Sequence, residues 1–126
     1  MGLRSLLVVA SVVTLVATSG LTLAAEPSGE EIFKAKCATC HSLTQGLSTI
    51  APDLHGVVGR KAASLDNFKY SDALKESGIV WTPEKLDEWI KSPHMVAAET
   101  EMSFPGLSDP QQRAAVVEFL KGFGAE

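Results

Sequence analysis

Cys37-Ala38-Thr39-Cys40-His41 holds the only two cysteines of the chain with a histidine directly behind them. Two residues between the cysteines, at the end of a helix, put both sulfurs on one side. The next residue then turns its imidazole toward the same space. This is the pattern of covalent haem attachment, in which two thiols add across vinyl groups and the adjacent ring coordinates iron. Other uses of the pattern meet obstacles. A thioredoxin-like redox pair wants a βαβ context that the sequence lacks, and a lone disulfide leaves His41 without a purpose. A zinc site needs more ligands, and His55 and His94 stand at no zinc-like spacing.

The rest of the chain is small. Of 126 residues, 45% are hydrophobic, but the first 25 contain a single charge, Arg4, so much of the apolar excess sits there. From Glu26 onward 101 residues carry ten of the eleven Lys+Arg and all fifteen Asp+Glu, a net charge of −5. One domain is expected. Its acidity argues against nucleic acid as a partner. Collagen, coiled coil and disulfide scaffold are excluded by the missing periodicity and by the cysteine count.

Arg4 precedes an apolar run from Leu6 to Ala17 and then small residues up to Ala25, which reads as an export signal with cleavage after Ala24 or Ala25. The competing reading is an uncleaved anchor, since Ser5 to Ala25 is 21 residues without a charge, just long enough to span a bilayer as one helix. The expected division is therefore 1–25 as signal peptide or anchor and 26–126 as the folded domain. Either reading places the domain outside the cytoplasm, the periplasm in a bacterium.

Helices dominate wherever a pattern exists. Ser28 caps a helix through Lys36, with Glu30 and Glu31 in its first turn and lysine in its last, matching the helix dipole. Asp72 to Ser77, ended by Gly78, is a short helix. Thr82-Pro83 opens another over Glu84 to Lys91, stopped by Pro93. Asp109 caps the last, with Pro110 first and Gln112 completing a capping box, and Val116, Phe119, Leu120 and Phe123 recur at helical spacing. Gln45 to Lys69 and Met95 to Ser108 remain as long loops, which call for something other than a protein core to order them. A haem supplies that core.

Iron bound by His41 has a further position to fill, and His55, His94, Met95 and Met102 are the available donors. Met102 lies in the irregular loop Met102-Ser103-Phe104-Pro105-Gly106, suited to wrapping a haem face and presenting a thioether. Met95 reads as a gap-filler beside a helix end, His94 as a surface residue and His55 as a loop-fixing hydrogen-bond donor.

With these residues assembled, the chain resembles the class I c-type cytochromes, the group of mitochondrial and small soluble bacterial cytochromes c, from about Gly29 to Phe123. The resemblance implies an all-α fold of the small cytochrome c kind, its N- and C-terminal helices crossing and long loops wrapping one covalent haem c. Gly29-Glu30-Glu31-Ile32-Phe33 is similar to the family's first helix, where the glycine permits close crossing by the last helix near Val116 and Phe119. Pro52-Asp53-Leu54-His55-Gly56-Val57-Val58-Gly59-Arg60 is similar to the loop whose proline carbonyl accepts a hydrogen bond from the proximal imidazole. The resemblance further implies that Arg60, Tyr70 and Trp81 contact the haem propionates and that Met102, with Phe104 and Gly106, is the axial methionine. The bland readings are a solvated Arg60, a buried Tyr70 satisfied by backbone, and Trp81 and Trp89 as a packed core pair.

Three departures stand out. Leu74 and Trp89 occupy places where the family often has an asparagine and a tyrosine, which implies a drier hydrogen-bond network on the Met102 side. Ala97-Ala98-Glu99-Thr100-Glu101 replaces a lysine-bearing stretch before the axial methionine, so the family's docking through a ring of lysines does not transfer simply. Lys34, Lys36 and Lys91 offer a small positive patch at most.

The expected function is therefore that of an electron carrier and not an enzyme, a monomer meeting membranes only through its partners unless the anchor is retained. The resemblance implies a donor complex of the cytochrome bc type and a terminal oxidase or photosynthetic reaction centre as acceptor. The alternatives are a cytochrome subunit of a periplasmic dehydrogenase, and a haem enzyme or gas sensor with an open sixth site.

Overall fold

In the structure, a computed structural model describing Gly2, residues 11–17 and residues 19–124, every regular element is a helix and the one β feature is an isolated bridge. Residues 1, 3–10 and 18 of the expected export segment lie outside the described residues. Residues 11–17 and 19–28 are exposed and form no helix. No described helix is long and apolar enough to cross a membrane.

The first helix, α1 (Gly29–Lys36), starts at Ser28 in a full capping box: Glu31 N–H donates to Ser28 Oγ at 3.3 Å and Ser28 N–H to Glu31 Oε2 at 2.8 Å. Two of its amide donors that lack helical partners are thereby satisfied. It buries Ile32 and Phe33. The last helix, α5 (Pro110–Lys121), begins where the Asp109 carboxylate accepts from Gln111 and Gln112 N–H, and it buries Arg113, Val116, Val117 and Leu120. These two helices cross at Gly29. A Cβ there would lie 2.1 Å from the Ala115 carbonyl oxygen and 2.8 Å from Phe119 Cβ, so glycine alone permits the approach. The expected contact with Phe119 is present, but Ala115 rather than Val116 faces the glycine. Val116 turns into the core and is 1% exposed.

Between them run α2 (Asp72–Glu76), α3 (Pro83–Lys91) and α4 (Pro93–Val96). Thr82 caps α3, and Leu86, Trp89 and Ile90 form its buried face. Pro93 does follow the end of α3, yet it also opens α4, a single turn that the sequence pattern does not predict; proline suits a first helical position, where no amide is needed. Met95 in that turn is 85% exposed and fills no gap.

The long loop before α2 is fastened to the segment before α3 by backbone alone. Gly59 N–H donates to Trp81 O (2.7 Å), Trp81 N–H to Arg60 O (2.9 Å) and Ala62 N–H to Ile79 O (2.8 Å), with Lys61 and Val80 in an antiparallel bridge. Arg60 and Trp81, distant in sequence, become neighbours. The core then consists of Ile32, Phe33, Trp81, Leu86, Trp89, Ile90, Val116, Val117 and Leu120 with apolar loop residues around them.

Candidate haem-binding site

The site begins where α1 ends. Cys37 caps the helix, and Cys37 and Ala38 N–H both donate to Phe33 O at 2.9 Å. Cys40 and His41 N–H then return to Cys37 O at 3.1 and 2.9 Å. This compact turn follows from a helix tightening at its last residues. Both cysteines are free thiols, Cys37 half-buried and Cys40 exposed. Burial pushes the Cys37 thiol up to about 11, so it stays protonated at neutral pH.

His41 Nδ1 lies 2.7 Å from the carbonyl oxygen of Pro52. A carbonyl only accepts, so Nδ1 carries the proton and Nε2 keeps its lone pair. Burial lowers the His41 pKa, the Arg60 charge adds to the effect, and the Pro52 hydrogen bond opposes it. The ring is thus neutral, the form that coordinates metal.

Pro52 is held by a loop locked onto Asp53, a residue that no local sequence signal singles out. Asp53 is 2% exposed. Its carboxylate accepts from Gly46 N–H (3.1 Å), Ser48 Oγ (3.3 Å) and His55 N–H (3.2 Å), with the Arg60 guanidinium 3.9 Å away. Arg60 itself donates to the carbonyls of His55 and Asp53, each at 2.9 Å. Arg60 is therefore neither solvated nor idle: two of its five N–H groups brace this loop. His55 fixes this loop as a donor through its backbone N–H to the Asp53 carboxylate and as an acceptor through its carbonyl.

Tyr70 and Trp81 are buried. Burial raises the Tyr70 pKa, a backbone hydrogen bond with Leu65 reaches its phenol, and the charges of Arg60 and Asp53 both act on it. Trp81 adjoins Arg60 through the backbone pairing described above. Arg60, Tyr70 and Trp81 thus gather from three separate stretches of chain. Of these three only Arg60 lines an open hollow of about 680 Å³, together with Asp53 and His55, and neither His41 nor Met102 reaches it.

On the other side, Met102 N–H donates to Thr100 Oγ1 (3.3 Å) and Phe104 N–H to Met102 O (2.9 Å). The loop returns to α3, where Leu107 N–H donates to Ile90 O at 2.9 Å. Gly106, at φ +101°, lies so near the Lys91 carbonyl that a Cβ would stand 2.2 Å from its oxygen. Trp89 Nε1 donates to Met102 Sδ at 3.1 Å. A drier network on this side was expected, and Leu74 does supply only apolar surface to the core, but the indole returns a donor. Of the other donors considered, His94 is exposed, with Nδ1 3.4 Å from Ala98 O.

Arg113 is the further residue that the sequence reading missed. Although charged, it is 6% exposed, donating through Nε to Asp87 Oδ1 (2.7 Å) and through one terminal nitrogen to Leu107 O (2.9 Å) and Ser108 O (2.8 Å). It joins α3, α5 and the foot of the Met102 loop. Its place three and four residues before Val116 and Val117, on the apolar face of α5, was the available signal.

The donor set fits a tethered haem: two reduced thiols, a neutral imidazole with Nε2 free, and a thioether on a loop fastened to α3. A model of the cytochrome c family matches residues 27–123. The chain is 39% identical over 93 residues to cytochrome c2 of Rhodopila globiformis, 74% of this chain and 88% of that one. It is 38% identical over 125 residues to cytochrome c-554 of Methylosinus trichosporium, covering 97% and 94% of the two chains. Among solved structures, cytochrome cH from Methylobacterium extorquens superposes with a TM-score of 0.70 at 38% identity, over 75% of this chain and 94% of that one.

Proposed function

This chain belongs to the cytochrome c family, an electron carrier with covalently bound haem c, and on that footing we propose that it is an exported one-electron shuttle that breaks no substrate bond. In this reading Cys37 and Cys40 would tether the haem, His41 and Met102 would hold its iron, and Arg60, Tyr70 and Trp81 would contact its propionates. When bound, the haem would supply a one-electron ferric/ferrous couple.

The chain's own residues do the rest. Pro52 fixes the tautomer and orientation of His41 and makes its Nε2 a better donor. Ile90 and Lys91, through backbone contacts with Leu107 and Gly106, fasten the loop that carries Met102. With both donors held in place, coordination need not be rebuilt at each electron transfer. Trp81, Leu86 and Trp89 keep water from the interior, and burial with thioether ligation favours the reduced state.

The apolar run after Arg4 supports export to the periplasm, with 1–25 removed or kept as an anchor and 26–126 as the working domain. The donor is a membrane complex of the cytochrome bc type and the acceptor a terminal oxidase or reaction centre. Docking does not depend on a lysine ring, because exposed Glu99 and Glu101 stand just before Met102 and the domain is acidic.

The observation that carries this reading is the His41–Pro52 hydrogen bond, which readies a metal-binding nitrogen directly behind the two thiols. Carbon monoxide binding to the purified, reduced protein tests it. Slow or absent binding is expected of a carrier whose iron is closed on both faces. Rapid binding means an accessible iron and favours a haem enzyme or gas sensor.

A further inference from the structure

Asp53 brings a full negative charge to a place where the loop asks only for acceptors. It is 2% exposed, and both of its carboxylate oxygens accept from backbone amides: Oδ1 from His55 N–H at 3.2 Å and Oδ2 from Gly46 N–H at 3.1 Å. Ser48 Oγ donates to Oδ2 at 3.3 Å, and Arg60 Nη1 stands 3.9 Å from Oδ1. This is the donor set of an ionised carboxylate. Hydrogen bonding accounts for the acceptors but not for the charge, which is costly to bury and which a neutral amide would avoid. Arg60 has two backbone acceptors already, the carbonyls of His55 and Asp53 at 2.9 Å, and its 3.9 Å approach to the carboxylate is an ion pair without a hydrogen bond.

Position gives the charge a use. Asp53 directly follows Pro52, whose carbonyl oxygen takes the hydrogen bond from His41 Nδ1 at 2.7 Å. Behind burial and a backbone hydrogen bond, the charge of Arg60 acts on the His41 ring, and the charges of Arg60 and Asp53 act on the Tyr70 phenol in opposite senses. The ion pair is thus felt where the iron ligand and the propionate contacts are assigned.

We propose that Asp53 is an internal counter-charge to the haem iron, biasing the couple toward the oxidised form by favouring the extra positive charge of the ferric state and by offsetting the charge of Arg60. The inference rests on the reading of His41 as an iron ligand. Its sign follows from Coulomb's law. Loss of one electron adds a positive charge at iron, a fixed negative charge nearby favours that state, and the midpoint potential falls. Asp53 thereby opposes burial and thioether ligation, which favour the reduced state. Because the carboxylate is buried, salt screens its effect little.

The test uses the haem-loaded protein and two variants. Asp53→Asn removes the charge and keeps the shape; Ser48→Ala removes one donor to the same carboxylate and keeps the charge. Midpoint potentials are titrated with a one-electron mediator in low and in high salt, beside visible spectra and melting curves. In Asp53→Asn the ratio of reduced to oxidised protein at the parent's midpoint is expected to rise threefold to tenfold, roughly 30–59 mV for one electron, in both salts and with the parent's spectrum. Ser48→Ala is expected to melt earlier while keeping the parent's potential. An unmoved potential in Asp53→Asn overturns the proposal while leaving His41 on iron. So does a shift that high salt abolishes, a shift that comes with an altered spectrum, or a Ser48→Ala variant displaced as far as Asp53→Asn. A parent protein without a reversible one-electron couple overturns the ligand reading and this inference together. Should Asp53→Asn not load haem, Asp53→Ser, also neutral, takes its place with the same expectations.

Discussion

His41 and Pro52 are joined by a 2.7 Å hydrogen bond from the imidazole Nδ1 to the proline carbonyl, and the stability of that contact depends on Asp53, the next residue. Asp53 accepts two backbone N–H groups and one hydroxyl from 2% exposure. Asp53→Ala leaves those donors without their acceptor and takes the nearby negative charge from Arg60, which keeps its two backbone acceptors, a loss of about 2–4 kcal/mol. Asp53→Asn keeps one carbonyl oxygen and should lose less. Denaturant melts of the two variants check the order; equal stability to the parent would contradict the role given to the carboxylate.

Met102→Ala removes the thioether. The expected result is an iron open on one face, carbon monoxide binding that the parent lacks, and a lower potential, because sulfur ligation favours the reduced state. Optical spectra and a redox titration of the variant decide it. A spectrum identical to the parent's would take Met102 off the iron.

Arg113→Met retains apolar bulk but removes the donors that serve Leu107 O, Ser108 O and Asp87. Asp87 is 42% exposed and can turn to water, whereas the Leu107 carbonyl meets Arg113 in a buried contact, so the cost is about 2–3 kcal/mol. At ~4–8 °C per kcal/mol for a domain of this size, the melting temperature should drop by roughly 10–20 °C. Because Arg113 braces the foot of the Met102 loop, the sulfur–iron band should be lost at lower denaturant than the helical circular dichroism, as expected when a local segment opens first.

Tyr70 gives the fold a dependence on alkaline pH. Burial raises its pKa above the ordinary 10.0, so the folded chain keeps the phenol proton after the unfolded chain has lost it. The native state then binds more protons, and stability falls as pH rises from about 10 toward the raised folded value. Tyr70→Phe deletes this contribution, so its melting temperature should decline less steeply than the parent's between about pH 9.5 and 11. Parallel curves would show that the phenol does not titrate in this way.

The helices were legible in the sequence because their signals are local. Ser28, Thr82-Pro83 and Asp109-Pro110 mark starts that short-range hydrogen bonds enforce, and the spacing of Val116, Phe119 and Leu120 marks a buried face. Cys37, Cys40 and His41 were legible for the same reason, being fixed by a single turn. Asp53 and Arg113 were not: each is a charged residue whose burial depends on acceptors or donors several residues away in a loop or on another helix. The Trp89–Met102 contact joins residues thirteen apart, and nothing in either residue type announces that an indole will point at a thioether. The pairing of Arg60 with Trp81 was equally hidden, since three backbone bonds make no alternating pattern.

The most direct measurement is an intact mass of the protein recovered from the exporting cell, read beside its visible spectrum. The account predicts a chain that starts near Glu26, or at Met1 if the anchor is kept, heavier by one haem that survives acid and organic solvent, with no titratable thiol at Cys37 or Cys40. A colourless chain at its plain polypeptide mass, with both thiols reactive, would contradict it.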